Sequence, residues 1–226
     1  MISTLPVRRR LASIAAAGAL AMTLTACAAP DLGISTAERT ASPVPSRSAS
    51  AGPSQPEPGR TVEAVVPAHA GDVRGVRLAV VIPDERATSR ALLEGLRGFA
   101  AGNGLVVEEF VATGDAASVD AAFTQALAAE PHIVVGLGAG TVDVFAYNSS
   151  QWLDQDFLLL GAQVAEPTSN VCAVVWEGAT SRGSGAPADG DLDHTAVAPS
   201  RAAEAVSVGV ATVMSGESGI VLHLPE

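Results

Sequence analysis

The fold class is decided by residues 131–141, PHIVVGLGAGT, in which a short apolar run leads directly into a glycine-rich turn. The residues Ile133-Val134-Val135 are typical of a strand that is buried on both faces. The pattern that follows predicts a helix over residues 141–153. A buried strand, a tight glycine turn and a helix together form the repeating unit of a parallel α/β sheet.

The same alternation extends in both directions along the chain. The apolar patterns predict strands over residues 76–82, 105–111, 133–135, 157–160, 171–176 and 219–224, and helices over residues 87–101, 118–129, 141–153 and 201–214. Ser118 is the expected N-cap of the second helix. Residues 177–197 are rich in Gly, Ala, Asp and Ser and are expected to form an exposed loop. We therefore predict an α/β fold, a single three-layer domain over residues 73–226 with a mainly parallel sheet.

The first 26 residues have the pattern of an export signal. Residues 8–10 are all Arg and precede an apolar run from Leu11 to about Leu24, which is shorter than the roughly 20 residues that span a bilayer. The run ends in residues 24–27, LTAC, which resemble the lipobox of bacterial lipoproteins. We therefore predict a lipoprotein signal peptide over residues 1–26, lipidation of Cys27, and a lipid-anchored protein on the extracytoplasmic face of the cell membrane. An ordinary signal peptide and an uncleaved N-terminal helix are the alternatives.

Composition defines the segment after the signal and excludes several functions. Residues 27–72 are dominated by Ala, Ser and Pro and are expected to form a disordered, lipid-anchored linker. The formal charge of the chain is −11, and it becomes −14 when the three Arg of residues 8–10 leave with the signal peptide. Such an acidic chain repels nucleic acid and anionic headgroups, so the lipid is the expected means of membrane attachment. The absence of Lys excludes a Walker A loop and a Schiff-base lysine, and it is typical of an actinobacterial, GC-rich genome.

Two features are candidates for ligand binding. The glycine-rich turn lies at the carboxyl end of a strand, where parallel sheets bind ligands, and its candidate residues are Gly136, Gly138, Ala139 and Gly140. It is not a dinucleotide fingerprint, because the sixth position is Thr141 rather than Gly. Asp84 follows the first strand, lies at the same sheet edge and could accept a hydrogen bond from a sugar hydroxyl. A tight turn and a helix cap are the alternative interpretations.

The other polar and aromatic clusters give weaker indications. Residues 189–194, DGDLDH, begin like a calcium loop, but His194 and Ser200 occupy the positions that need Gly and Glu, so we expect a solvated acidic loop and no metal site. Tyr147, Trp152 and Trp176 could form a stacking wall or belong to the core. The four His are scattered and form no catalytic motif, so neither an enzyme activity nor a cofactor is predicted. Cys172 lies in an apolar run and is expected to be a buried, inert thiol.

The order of elements over residues 76–224 resembles lobe one of the basic membrane protein family, which belongs to the type I periplasmic binding proteins. The similarity rests on residues 131–138, PHIVVGLG, and on residues 157–161 and 170–176, FLLLG and NVCAVVW. The resemblance implies a flavodoxin-like binding lobe, and a lipoprotein that delivers solutes, nucleosides in known members, to an ABC transporter. It also implies that the second lobe is missing. Family members contact the ligand through an Asp-x-Ser-Phe-Asn segment, and Asp84 in residues 83–89, PDERATS, is its counterpart here.

Three functional hypotheses arise from this resemblance. The first is a membrane-anchored lipoprotein with a single solute-binding lobe, a degenerate substrate-binding component of an ABC transporter, whose partners are a small solute and a transporter but no nucleic acid. The second is an interaction lipoprotein that binds no ligand and docks another envelope protein. The third is a truncated fragment of a two-lobe, nucleoside-type binding protein.

Replacement of Cys27 by Ala is expected to abolish membrane association, because it removes the thiol that would carry the lipid and the acidic chain offers no basic patch instead. Membrane sedimentation followed by immunoblotting measures this, and the Cys172→Ala variant should sediment like the wild-type protein. Globomycin should also block processing of the wild-type precursor. A Cys27→Ala variant that still sediments with membranes, or a precursor that is still processed in the presence of globomycin, would contradict the assignment of Cys27 as the lipidated residue.

Overall fold

The central strands are apolar along their whole length, and this requires a sheet that is covered on both faces. In the computed structural model, which describes residues 59–67, 71–184 and 196–226, every residue of the strands Ile133–Leu137 and Val171–Val175 is buried. All strand pairs of the described sheet are parallel. The predicted α/β fold with a parallel sheet is therefore confirmed.

The described residues form one compact unit. Its elements, in chain order, are β1 Thr61–Glu63, β2 Arg77–Ile82, α1 Ala87–Asn103, β3 Val106–Val111, α2 Ala116–Ala128, β4 Ile133–Leu137, α3 Val142–Asn148, β5 Asp156–Leu160, β6 Val171–Val175, α4 Pro199–Met214 and β7 Val221–His223. Short 3₁₀ turns, Ala139–Thr141 and Ser149–Gln151, flank α3. None of the described helices is long and apolar enough to span a bilayer.

The sheet has the strand order β1-β7-β6-β5-β4-β2-β3. From β3 to β6 this is the flavodoxin-like order, in which the first strand of the series lies between the second and the third. The strand β1 extends the far edge, where it pairs with β7. Residues 61–63 were predicted to lie in the linker, and that prediction is wrong for these residues. An edge strand is held by backbone hydrogen bonds and needs few apolar side chains.

Helices cover both faces of the sheet and create two cores. The residues Leu78, Val80 and Ile82 of β2 point toward α1 and α4. The other face packs against α2 and α3, where Phe123, Phe145 and Phe157 form a cluster with ring centroids 5.0 to 5.8 Å apart. The edge-to-face geometry of two of these three pairs is the one that aromatic quadrupoles favour.

Several helix boundaries differ from the sequence prediction. The N-cap of α2 is Asp115 rather than Ser118, because the Asp115 carboxylate accepts a hydrogen bond from the Ser118 N–H at 3.0 Å and the helix already begins at Ala116. The helix predicted over residues 141–153 is α3 only as far as Asn148, after which the chain tightens into a 3₁₀ turn. The predicted start of α4 at residue 201 moves to Pro199, a residue that favours the first helical turn.

Cys172 lies in the middle of β6 and is fully buried. Burial raises the pKa of its thiol to about 12, with a smaller contribution from the Asp156 charge. The thiolate, which is the reactive form, is therefore essentially absent at neutral pH. The prediction of a buried, inert thiol is confirmed.

The helices α1 and α4 approach closely because α1 carries a glycine at their contact. A Cβ atom on Gly95 would lie 2.2 Å from the Pro199 carbonyl oxygen and 2.6 Å from the Ala202 Cβ. Any larger residue at position 95 therefore forces the two helices apart. Gly95 is therefore required for helix packing and not for its backbone conformation, which is that of an ordinary helix.

The Gly95→Ala substitution is expected to lower the free energy of unfolding by about 1–3 kcal/mol, because overpacking of this contact shifts the backbone of α4. Gly98 is the matched control, since it lies in the same helix and a Cβ there would meet nothing within 4 Å. The Gly98→Ala substitution should stabilise the protein by about 0.5–1 kcal/mol. Urea unfolding monitored by circular dichroism measures both, and equal effects of the two substitutions would refute the proposed contact.

Candidate functional site

The strand order creates a crevice between the carboxyl ends of β2 and β4. The helix α1 leaves β2 toward one face of the sheet, whereas α3 leaves β4 toward the other face. Open α/β sheets bind ligands at such a switch point, outside the carboxyl ends of the strands. Asp84 and the glycine-rich turn follow these two strands, so the structure brings the two predicted features to one place.

Asp84 is buried and its carboxylate is already hydrogen-bonded within its own loop. Its Oδ1 accepts hydrogen bonds from the Arg86 N–H at 2.9 Å and from the Ser89 hydroxyl at 2.8 Å. Its Oδ2 accepts one from Arg86 Nε at 2.7 Å, and the Arg86 guanidinium also forms an ion pair with it. Both oxygens therefore orient the first turn of α1 before any ligand is present.

The protonation of Asp84 is set by these contacts. Burial raises the pKa of the Asp84 carboxyl, but the hydrogen bonds from Arg86 and Ser89 and the charge of Arg86 outweigh burial, so the pKa lies below its usual value. Asp84 is therefore a carboxylate at neutral pH, able to accept a hydrogen bond but not to donate a proton. This is a binding or structural group rather than a general acid.

The residues of the glycine-rich turn divide between the core and the crevice. Gly136 belongs to β4, and a Cβ there would lie 2.7 Å from Leu159 Cδ2. Gly138 is also buried and has a φ of 68°, which favours glycine. Only Ala139 and Gly140 reach the surface, and a Cβ on Gly140 would lie 2.7 Å from Pro83 Cβ. Gly136 therefore packs in the core of β4, Gly138 is buried just beyond it, and the ligand role of both residues stays a prediction.

The electrostatics of this edge do not suit an anion. The N–H of Gly138 is already bonded to the Leu160 carbonyl at 2.8 Å. The first turn of α3 carries Asp143, whose carboxylate accepts hydrogen bonds from the Ser184 N–H and hydroxyl at 3.0 and 2.6 Å. Because the side chains of Asp84 and Asp143 present acceptor oxygens at this edge, hydroxyl and ammonium donors are better ligands than phosphates or carboxylates.

A groove adjoins Asp84 on the side of α1 and β3. It has a volume of about 380 Å³ and is lined by Ile82, Asp84, Glu85, Arg90, Leu93, Arg97, Glu109 and Val111. The lining combines charged side chains with the apolar side chains of Ile82, Leu93 and Val111. At the rim, Arg97 donates to both oxygens of Glu109 at 2.7 and 2.6 Å, and Arg90 Nη1 donates to the Glu85 carbonyl at 2.8 Å.

Of the residues that line this groove, only Asp84 was predicted from the sequence, although a signal for the others was present. Arg90 and Arg97 are seven residues apart, which places them on one face of α1 two turns from each other. Glu109 is two residues from both Val107 and Val111, so the three side chains lie on the same face of β3. The signal for the groove was therefore a charged face on α1 together with Glu109 on the facing side of β3.

The remaining predicted residues do not join this site. Trp176 belongs to the core, where its indole N–H donates to the Ala196 carbonyl at 3.1 Å, whereas Tyr147 and Trp152 are exposed. The three aromatic residues therefore do not form a stacking wall, because Trp176 is packed in the core. Cys27 and the acidic segment 189–194 lie outside the described residues. Within the described part of the chain, no group of three His, Cys, Asp or Glu could hold a metal ion.

Comparison with known proteins gives similarities of fold. No protein-family model and no curated protein matches the chain. Two solute-binding proteins of ABC transporter systems are similar in structure: one from Aeropyrum pernix K1, with 15% identity over 46% of this chain and 28% of that chain and a TM-score of 0.38, and one from Conexibacter woesei DSM 14684, with 14% identity over 45% and 35% and a TM-score of 0.37. A fragment described as a "putative lipoprotein" from Peptoclostridium difficile 630 has 10% identity over 64% of this chain and 98% of that chain, with a TM-score of 0.42.

The matched regions thus span about a third or less of the two solute-binding proteins. At identities of 10 to 15% and TM-scores of 0.37 to 0.42, these similarities assign no family and no function to the chain. The function therefore has to be inferred from the residues of this chain.

The Asp84→Asn substitution is expected to lower the free energy of unfolding at neutral pH by about 1–3 kcal/mol, because it removes the charged acceptor of Arg86. The folded pKa of Asp84 is lowered, so its contribution is present above the unfolded pKa of 3.8 and is lost as pH falls through the folded value. The difference between wild type and variant should therefore shrink below about pH 4. Urea unfolding as a function of pH measures this.

Asp156 provides a control in which the pKa shift has the opposite direction, because burial raises the pKa of its carboxyl. Its charge costs stability once pH exceeds the unfolded pKa, so the Asp156→Asn substitution should stabilise the protein at neutral pH and have little effect in acid. If both substitutions changed stability in the same direction at neutral pH, the assignment of the Asp84 contacts would be incorrect.

Proposed function

We propose that the protein is a lipid-anchored, extracytoplasmic lipoprotein whose α/β lobe binds a small polar solute at the carboxyl edge of its sheet and presents it to a membrane partner such as an ABC transporter. The observation that carries this proposal is the groove of about 380 Å³ that has Asp84 at one end. It lies beside the switch point where open α/β sheets bind ligands. Cys27 would carry the lipid, and the chain between Cys27 and β1 would be the tether.

The chemistry of the groove supports a solute that is polar and carries hydrogen-bond donors. Its apolar lining residues, Ile82, Leu93 and Val111, suit a hydrocarbon or ring face, while its charged residues fix the orientation of the ligand. Arg90 and the Arg97–Glu109 pair lie at the surface, so a ligand can rearrange them at a small cost, since exposed ion pairs contribute little to stability. The groove is open, which supports a solute held with modest affinity.

A second candidate function is docking of an envelope protein, and the edge strand β3 supports it. Val106 and Val111 of β3 are 54% and 57% exposed, and the outer edge of β3 pairs with no strand among the described residues. An edge of this kind can accept an extended segment of a partner through backbone hydrogen bonds. The same strand forms one wall of the groove, so a partner bound there would also cover a bound solute.

A ligand of the groove should raise the melting temperature of the purified lobe in a thermal-shift panel of nucleosides, sugars and amino acids. At 100 times its Kd a ligand stabilises the folded state by roughly 2.7 kcal/mol, which corresponds to a shift of about 5–10 °C for a domain of this size. The Arg90→Gln variant should lose most of the shift with the same compound.

The matched control is Arg60→Gln, the same change of charge beside β1 at the opposite edge of the sheet. It should keep the full shift. A panel without any active compound, or a shift that survives Arg90→Gln, would refute solute binding in this groove and leave docking through β3 as the better function.

A further inference from the structure

A second cavity lies at the opposite end of the sheet from the groove. It has a volume of about 420 Å³ and is lined by Leu127, Glu130, Pro131, Gln151, Trp152, Leu153, Asp154 and Gln155. These residues precede β4 and β5, so the cavity is at the amino ends of the strands. The proposed solute site uses none of them, so the two cavities can bind ligands independently of each other.

The cavity exposes two large apolar side chains to solvent. Trp152 is 52% exposed and Leu153 is 61% exposed, side by side in the turn that precedes β5. Large aromatic and aliphatic side chains that remain in water are costly, and when they line a concave surface they mark a binding site. The apolar surface of Leu127 and Pro131 completes the same wall.

The turn that carries Trp152 is fixed by a buried amide. The two N–H groups of the Asn170 side chain are shared among the carbonyls of Ser149, Trp152 and Gln155, at 3.1, 2.9 and 3.0 Å from Nδ2. Its own oxygen accepts the Thr168 hydroxyl at 2.6 Å. The backbone of Trp152 is therefore held in place before a ligand arrives, which lowers the entropic cost of binding.

The polar groups of the cavity are acceptors. Glu130 and Asp154 contribute two carboxylates, and the lining residues include no Arg. The Gln155 amide nitrogen already donates to the carbonyls of His132 and Asp156 at 3.2 and 3.0 Å. The Gln151 amide nitrogen likewise donates to the Tyr147 carbonyl at 3.2 Å. The cavity therefore offers oxygen atoms and negative charge, and few free N–H donors.

We propose that this cavity binds a small organic cation, one that carries a quaternary or alkyl-substituted ammonium group. Trp is the best aromatic partner for such a cation, and adjacent carboxylates supply the counter-charge. The apolar walls suit the alkyl substituents of the cation. An anion would meet two carboxylates, and a neutral saccharide could donate its hydroxyls to them but would leave their charge unbalanced.

Isothermal titration calorimetry with choline as the probe tests this proposal. The neutral compound 3,3-dimethyl-1-butanol has the same shape but carries carbon in place of the charged nitrogen, so it separates charge from apolar contact. Choline should bind at least tenfold more tightly than the neutral compound, and its affinity should fall with added salt.

Variants locate the site. Trp152→Leu keeps an apolar side chain but removes the aromatic face, and should weaken choline binding about tenfold. Asp154→Asn and Glu130→Gln should each weaken it severalfold. Tyr147→Leu is the matched control, because Tyr147 is an exposed aromatic residue that does not line the cavity, and it should bind choline as the wild type does.

Three results would overturn the proposal. Equal affinity for choline and 3,3-dimethyl-1-butanol would show an apolar site without cation selectivity. Choline binding that survives Trp152→Leu would place the cation elsewhere on the acidic surface. Binding of methyl β-glucoside without binding of choline would show a saccharide site. The Arg90→Gln variant should bind choline normally, so loss of solute binding in the groove and loss of cation binding are separate outcomes.

Discussion

Strands β4, β5 and β6 are apolar on both faces, and a sheet made of such strands is stable only when helices cover it from two sides. This constraint determines the rest of the molecule. It requires α1 and α4 on one face and α2 and α3 on the other, and it excludes charged groups from the faces. Polar chemistry is therefore confined to the two ends of the strands and to the edge strand β3.

The two ends of the sheet differ in charge arrangement. At the carboxyl end, two carboxylates are paired with guanidinium groups, Asp84 with Arg86 and Glu109 with Arg97. At the amino end, Glu130 and Asp154 line a cavity without a basic side chain. A mixed-charge groove and an acidic aromatic cavity select different ligands, so one small lobe can offer two separate binding chemistries.

The strands and helices could be predicted directly from the sequence because burial imposes a period on each of them. The runs around Val134, Leu158 and Val174 predicted the central strands, and the spacing of Leu92, Leu93 and Leu96 predicted α1. The strand β1 was missed because it has only three residues, too few to show an apolar periodicity. Backbone pairing with β7 holds it in the sheet. The cap of α2 was misplaced because Asp115 and Ser118 are both good caps and only the geometry distinguishes them.

The site was harder to predict than the fold because it depends on which side chains share a face after folding. The proximity of Asp84 and Gly140 results from parallel strands and was anticipated. The groove beside Asp84 depends on the pairing of β2 with β3, and the Trp152 cavity depends on a turn that the Asn170 amide holds. Neither relation is visible in local sequence, since its partners lie far apart in the chain.

The position of Cys172 has a consequence for the redox behaviour of the protein. A thiol in the middle of β6 with a pKa of about 12 takes no part in thiol–disulfide exchange while the chain is folded. It becomes available only when β6 separates from its neighbours, as in a nascent or damaged copy. In an oxidising compartment, disulfide-linked dimers through Cys172 would therefore form only from molecules that failed to fold. The amount of these dimers would measure the misfolded fraction, because folded molecules would not form them.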